Sequence, residues 1–166
     1  MDALKAIVSK RDSRNFTEQA VDEDTLQRVL QAGRMAGSAK NIQPCRFVVL
    51  TDRAHKEELA GCGQFSSWIP QAPVNIAVVI SENGRDFDAG RTAQNMMVAA
   101  NALGLASCPV TMHDQDCAKK VLGLPDDHRV AIVLAIGHPV PGTTSGMGAQ
   151  RVALDEMVHR ERWTIS

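Results

Sequence analysis

Apolar residues recur at helical spacing twice near the start of the chain. Leu4, Ile7 and Val8 do so in the first ten residues, and Leu26, Val29, Leu30 and Gly33 do so after the acidic cluster Asp22 to Asp24. Acidic side chains favour a helix N-terminus, so two helices are predicted to open the chain. The pattern then changes. "RFVVLT" (46–51) reads as a strand, "DRAHKEELAGC" (52–62) as a helix, and "VNIAVVIS" (74–81) as a strand that is apolar on both faces and rich in β-branched residues. From Asp86 to Leu103 the positions Ala89, Ala93, Met96, Met97, Ala100 and Leu103 keep a helical period, and Gly104 follows as a C-cap. "ASCPVTM" reads as a short strand, "DQDCAKKVLG" as a helix with Asp114 at its N-cap, and "RVAIVLAIG" as the most apolar strand. After Pro139, "PVPGTTSGMGAQ" has the composition of a loop, and "RVALDEMVHRERW" reads as a strand fragment followed by a short helix.

The layout is a buried sheet flanked by helices. Alternation of helix and strand, taken alone, tilts toward a parallel α/β sheet. At 166 residues the chain suits one domain spanning 1–166, since a chain of this size buries about two thirds of its unfolded surface. Lys plus Arg (18) nearly balances Asp plus Glu (19), so bulk charge indicates neither nucleic acid nor an anionic membrane, and any anion site must be local. No apolar run approaches the roughly 20 residues of a membrane span, which points to a soluble, cytoplasmic protein. Four cysteines (45, 62, 108, 117) show no Cys-x-x-Cys pair, and three lie in apolar or helical surroundings that predict buried thiols in a reducing compartment. The five histidines show no metal-binding spacing.

Candidate chemistry begins at "SKRDSRNF", where Lys10, Arg11 and Arg14 lie within five residues just past the first helix. Arg grips phosphate bidentately and Lys supplies a point charge, so a phosphate site fits. A solvated basic helix end, favoured by the helix dipole, fits as well. Other nucleotide motifs fail. "GCGQFS" has Ser66 where a dinucleotide fingerprint needs its third glycine, and it follows a helix when it should follow a strand. There is no GxxxxGK[ST] and no GxSxG. "GSAKNIQPCRFVVLT" crowds side-chain hydrogen-bonding groups at the mouth of a strand, where Asn41 and Gln43 suit the capping of a turn before Pro44.

Four segments in order, "KRDSRNF", "AGSAKNIQPCRFVV", "DAGRTAQNMMVAANALGLASCPV" and "LGLPDDHRVAIVLAIGHP", make the chain similar to the nitroreductase family of FMN-dependent oxidoreductases from about residue 5 to residue 160. The resemblance implies an α+β fold, a three-layer α/β/α sandwich with a central, mostly antiparallel sheet wrapped by helices. It also implies a homodimer with two FMN sites at the interface, and residues 86–103 packed against their counterpart; a plain monomer core would use the same small residues. Carried over by position, Lys10 and Arg11 hold the FMN phosphate, and Arg14 sits near N1 and O2 of the ring. Asp12 stands where many members have Ser beside the ribityl chain or phosphate; a carboxylate accepts from hydroxyls and repels phosphate. Ser13 is adjacent. Ser38 and Asn41 match positions that hydrogen-bond the pyrimidine edge, in many members from the partner subunit. Gly37 stands where Pro is usual and Cys45 where Trp is usual. Pro109, Val110, Thr111 and Met112 match the stretch whose backbone passes beside the flavin. Arg151 matches a second phosphate cation, and Ala149 replaces a Lys many members carry.

The implied reaction is a ping-pong transfer from NADH or NADPH, through flavin N5, to a nitroaromatic, quinone or similar small acceptor. Arg14 is the residue expected to tune the flavin. Two rivals remain: a flavin-consuming enzyme that makes dimethylbenzimidazole, suggested by Asp12 in "RDSR", and an FMN-binding protein without turnover.

Overall fold

A computed structural model describes residues 2–143 and 151–163. Helix α1 spans Ala3–Ser9 and starts where the Asp2 carboxylate accepts from the Lys5 amide. Helix α2, Glu23–Arg34, starts in the same way: Asp22 Oδ1 accepts from the Thr25 amide at 2.9 Å. Strand β1 (Arg46–Leu50) is followed by α3 (Arg53–Ala60), β2 (Val74–Ser81), α4 (Asp86–Ala102), β3 (Ala106–Val110), α5 (Gln115–Leu122) and β4 (His128–Gly137). The predicted caps are in place. Asp114 accepts from the Cys117 amide at the start of α5, and Gly104, at φ 82°, supplies the left-handed residue past the end of α4. Toward the C-terminus only the short helix α6 (Leu154–Met157) forms among the described residues, and the strand fragment expected before it does not. Residues 144–150 lie outside the described residues, and with them Ala149 and most of the expected glycine-rich loop.

The sheet order is β1-β2-β4-β3 and all three pairings are antiparallel. This agrees with the α+β fold and overturns the parallel sheet that alternation alone suggested. The reason lies between β1 and β2. Leu50, at the end of β1, pairs with Asn75, at the start of β2, so the chain leaves and re-enters the sheet at one end, by way of α3 and a 3₁₀ turn at Ile69–Gln71, and runs along β2 in the opposite sense. Lys56 anchors that connection: its buried ammonium donates to Ala72 O at 2.7 Å and Pro73 O at 3.3 Å. Asn75 Nδ2 donates to Ile69 O at 3.0 Å from the strand side.

Two cores result, one on each face. Along β2 and β4, Ile76, Val78, Ile80, Leu134 and Ile136 point to α2 and α4, whereas Ala77, Val79, Val133 and Ala135 point to α3, α5 and Phe16. Layers of helix, sheet and helix follow from that alternation. The α3–α5 face also corrects the reading of the cysteines: Cys62 and Cys117, expected as thiols, form a disulfide across 55 residues, with Cα atoms 5.5 Å apart. Cys45 is half-buried and Cys108 buried, and both are free.

Candidate functional site

The segment after α1 runs beside β3. Asp12 bridges to Ser107 in a short parallel contact, and the Ser13 amide donates to Ser107 O at 3.2 Å. This places Lys10, Asp12 and Arg14 along the outer edge of β3. Lys10 pairs with the Asp12 carboxylate, and its side chain is only 12% exposed. Arg14 lies over the Trp68 ring, with its Cζ 5.7 Å from the centroid, and within hydrogen-bonding reach of the buried Cys108 thiol. Burial pushes that thiol above its ordinary value, and the Arg14 contact opposes the shift. Arg14 is itself exposed, and the indole face beneath its guanidinium limits the orientations it has to give up to a ligand.

Neighbouring residues behave differently. Arg11 is exposed and folds back on α1, its Nη1 donating to Val8 O and Lys10 O, both at 2.8 Å. This is the helix-end role that basic residues play at a C-terminus. Ser13 is fully buried, and its hydroxyl donates to Asn15 O at 3.0 Å, so it shapes the segment. Further along β3, Val110 and Met112 send their side chains into the α3–α5 core, whereas Thr111 is exposed and Pro109 half-buried. Whatever Val110 and Met112 offer a ligand must come from their backbone.

Ser38 and Asn41 lie elsewhere. They precede β1, the opposite edge strand from β3, and four strands at the usual spacing put those edges about 14 Å apart. There Ser38 Oγ accepts from the Gln43 amide at 2.9 Å, closing a turn in which Lys40, Asn41 and Gln43 all have φ near +50°. Three left-handed non-glycine residues in one turn represent stored strain. Arg151 is exposed at the head of the C-terminal segment. The sheet thus brings Lys10, Asp12, Arg14 and 109–112 together, and sets Ser38 and Asn41 apart from them.

Sequence reasoning missed Trp68 and its neighbours. Trp68 Nε1 donates to Phe65 O at 2.7 Å; the Phe65 ring packs edge-on against His113 with centroids 5.8 Å apart; and the Gln64 amide donates to His113 Nδ1. Gly63 explains the close approach: a Cβ there would lie 3.1 Å from Thr111 O. No motif connects residues 63–68 with 111–113, because only the connection before β2 brings them together.

The sequence model of the nitroreductase family matches residues 7–62 and 64–138. The chain belongs to the nitroreductase family. A relative from Archaeoglobus fulgidus, provisionally named NADH dehydrogenase/NAD(P)H nitroreductase, is 25% identical over 98% of this chain and 99% of its own. An NAD(P)H-dependent FMN reductase of Bacillus subtilis is 26% identical over 83% of this chain and 66% of its own. Among solved structures, a provisionally named nitroreductase from Desulfovibrio desulfuricans, in complex with FMN, is 28% identical, with a TM-score of 0.86 over 99% of both chains. Among the described residues no helix of this nitroreductase-family chain is long and apolar enough to cross a membrane.

Proposed function

We propose that this family member, an FMN-dependent NAD(P)H oxidoreductase, works as a homodimer in which each cofactor is held by the β3 edge of one protomer and the β1 edge of the other. The observation that carries this reading is the convergence of Lys10, Asp12 and Arg14 on β3, beside Pro109–Met112, with Ser38 and Asn41 about 14 Å away across the sheet. One chain has two half-cradles facing outward, and a second copy can close both. Exposed apolar side chains support the pairing: Leu4, Ile7 and Val8 on α1, and Leu154, Met157 and Trp163 in the C-terminal segment.

The donor set suits FMN. Lys10 and Arg14 are cations, with Arg151 and Arg11 available from exposed positions; Asp12 accepts from ribityl hydroxyls and keeps Lys10 in place. The backbone of 109–112 passes beside the ring, and Ser38 and Asn41 of the other protomer serve its pyrimidine edge. Bound FMN supplies the chemistry, a hydride taken up and given back at N5. Arg14, beside Trp68, would supply a positive charge to the N1–O2 edge of bound FMN, which becomes electron-rich on reduction. Nicotinamide and acceptor use one face in turn, which makes the kinetics ping-pong, with quinones and nitroaromatics as acceptors.

The test is a spectrum of the purified protein before and after NADH or NADPH under argon. A yellow protein bleached by pyridine nucleotide and restored by a quinone is expected; a yellow protein that stays yellow would mark a flavin-binding protein without turnover, and a colourless monomer would defeat the reading. Arg14→Ala should lower the flavin potential and slow reduction, and unchanged redox titrations would refute its role.

A further inference from the structure

Few hydrogen bonds back up the Cys62–Cys117 disulfide among the described residues. Residues 61–68 meet residues 111–117 through the Asp114 amide, which donates to Cys62 O at 2.9 Å, and the Gln64 amide, which donates to His113 Nδ1 at 3.2 Å. The Phe65 ring adds its edge contact with His113, but both side chains are exposed and bury little apolar surface. The disulfide ties the two segments covalently. The first of them also carries Trp68, whose indole lies under the Arg14 guanidinium. What loosens residues 61–68 therefore reaches the β3 edge.

The two half-cystines differ in access. Cys62 is 1% exposed and belongs to the α3–α5 core, whereas Cys117 is half-buried and lines an open surface depression with Glu58, Asp114, Asp116 and Lys120. Thiol–disulfide exchange requires a thiolate to reach a sulfur, so Cys117 is the point of entry and Cys62 the leaving group. Three carboxylates against one ammonium repel a reductant that carries further negative charge. The other two cysteines do not compete for the bond. Burial pushes the Cys45 and Cys108 thiols above their ordinary 9.0, which keeps both from supplying a thiolate. A chain that leaves two of its four cysteines as thiols is unlike the secreted domains that pair them all for stability.

We infer that Cys62–Cys117 is a reversible thiol-exchange site for a small uncharged dithiol, entered at Cys117, and that its redox state sets how firmly residues 61–68 hold Trp68 under Arg14. The reductant's thiolate bonds to Cys117 Sγ, the bond to Cys62 breaks, and its electron pair leaves on Cys62 Sγ, which takes up a proton. The reductant's second sulfur, giving up its proton, then attacks the first. That closes the reductant's own disulfide and releases Cys117 as a thiolate. Two electrons pass from the dithiol to the protein, and an excess of the oxidised dithiol reverses both steps. The site stands whether or not the flavin reading does.

The test equilibrates the full chain with mixtures of reduced and oxidised dithiothreitol, in the Trp163→Phe background that leaves Trp68 as the single tryptophan. Thiols counted in denaturant after acid quenching should rise from two to four in one reversible transition. Trp68 emission should change in step, and amide exchange over 62–66 and 113–117 should quicken by at least about tenfold while residues 36–47 keep their rates. Cys117→Ser should show the reduced emission in every mixture. Four thiols at every ratio, no reduction without denaturant, global unfolding on reduction, or emission and exchange indifferent to the thiol count would each overturn the assignment.

Discussion

The two edges of the sheet are built in different ways. At the β3 edge, residues 10–14 are bonded along their length: Asp12 and Ser13 to Ser107, Lys10 to Asp12, Arg14 against Trp68 and Cys108. At the β1 edge, residues 38–43 are held by side-chain bonds at Gln43 alone, its amide to Ser38 Oγ and its carbonyl from Arg46, with Lys40, Asn41 and Gln43 in left-handed conformations beside a cavity of about 120 Å³. The first edge presents a charged surface already set in place. The second is strained and under-packed, as the proposed dimer would require of a segment that completes its contacts on a second copy.

That contrast can be broken from either side. The largest effect is expected at the disulfide, which ties α3 to α5 on the face behind Trp68 and His113. Closing a loop of 55 residues restricts the unfolded chain, so reduction or Cys117→Ser should cost roughly 4 kcal/mol in denaturant unfolding. The amide spectrum of the β1-edge turn should be unchanged. A folded-state spectrum altered across both edges would mean that they are not independent.

Next in size is Lys10. Lys10→Ala removes a charge-assisted contact to phosphate and should weaken FMN binding by roughly tenfold or more in a fluorescence titration. Asp12→Ser should also weaken binding, by a few-fold at most, because the carboxylate keeps Lys10 in place and accepts from the ribityl hydroxyls. If Asp12→Ser instead tightens binding, the carboxylate is competing with phosphate for the same ammonium. On the other edge, Gln43→Gly relieves a left-handed residue at φ 49° and should stabilise the fold by about 0.5–1 kcal/mol, less the added freedom of glycine in the unfolded chain. Loss of stability there would show that the turn is not strained.

The smallest effect concerns α2, which leads into the β1-edge turn. The Thr25 amide holds the Asp22 carboxyl below its ordinary 3.8. A group whose folded value is lowered contributes stability above its unfolded value and loses it as pH falls through the folded one. Thermal unfolding of the wild type should therefore lose a small increment below about pH 4 that Asp22→Asn, which still caps the helix, does not lose.

Much of the fold was legible because its signals are local. The helical spacing from Ala89 to Ala100, the carboxylates at Asp22 and Asp114, and Gly104 past α4 act within a turn or two of chain, where side-chain pattern and backbone bonding coincide. The cations at 10–14 could be read for the same reason. The pairing of Cys62 with Cys117 and the approach of Trp68 to Arg14 could not, since each joins segments dozens of residues apart.

The amino-acid order alone determined where helices and strands form, which residues face the two cores and which few could grip a phosphate. Tertiary structure decided the antiparallel sense of the sheet, in which the end of β1 meets the start of β2, and the strand order that places Ser38 and Asn41 at the edge opposite Lys10 and Arg14. Hydrophobic period and capping are set by neighbours along the chain, whereas strand direction and the contents of a cavity depend on how distant segments cross, which no local pattern encodes.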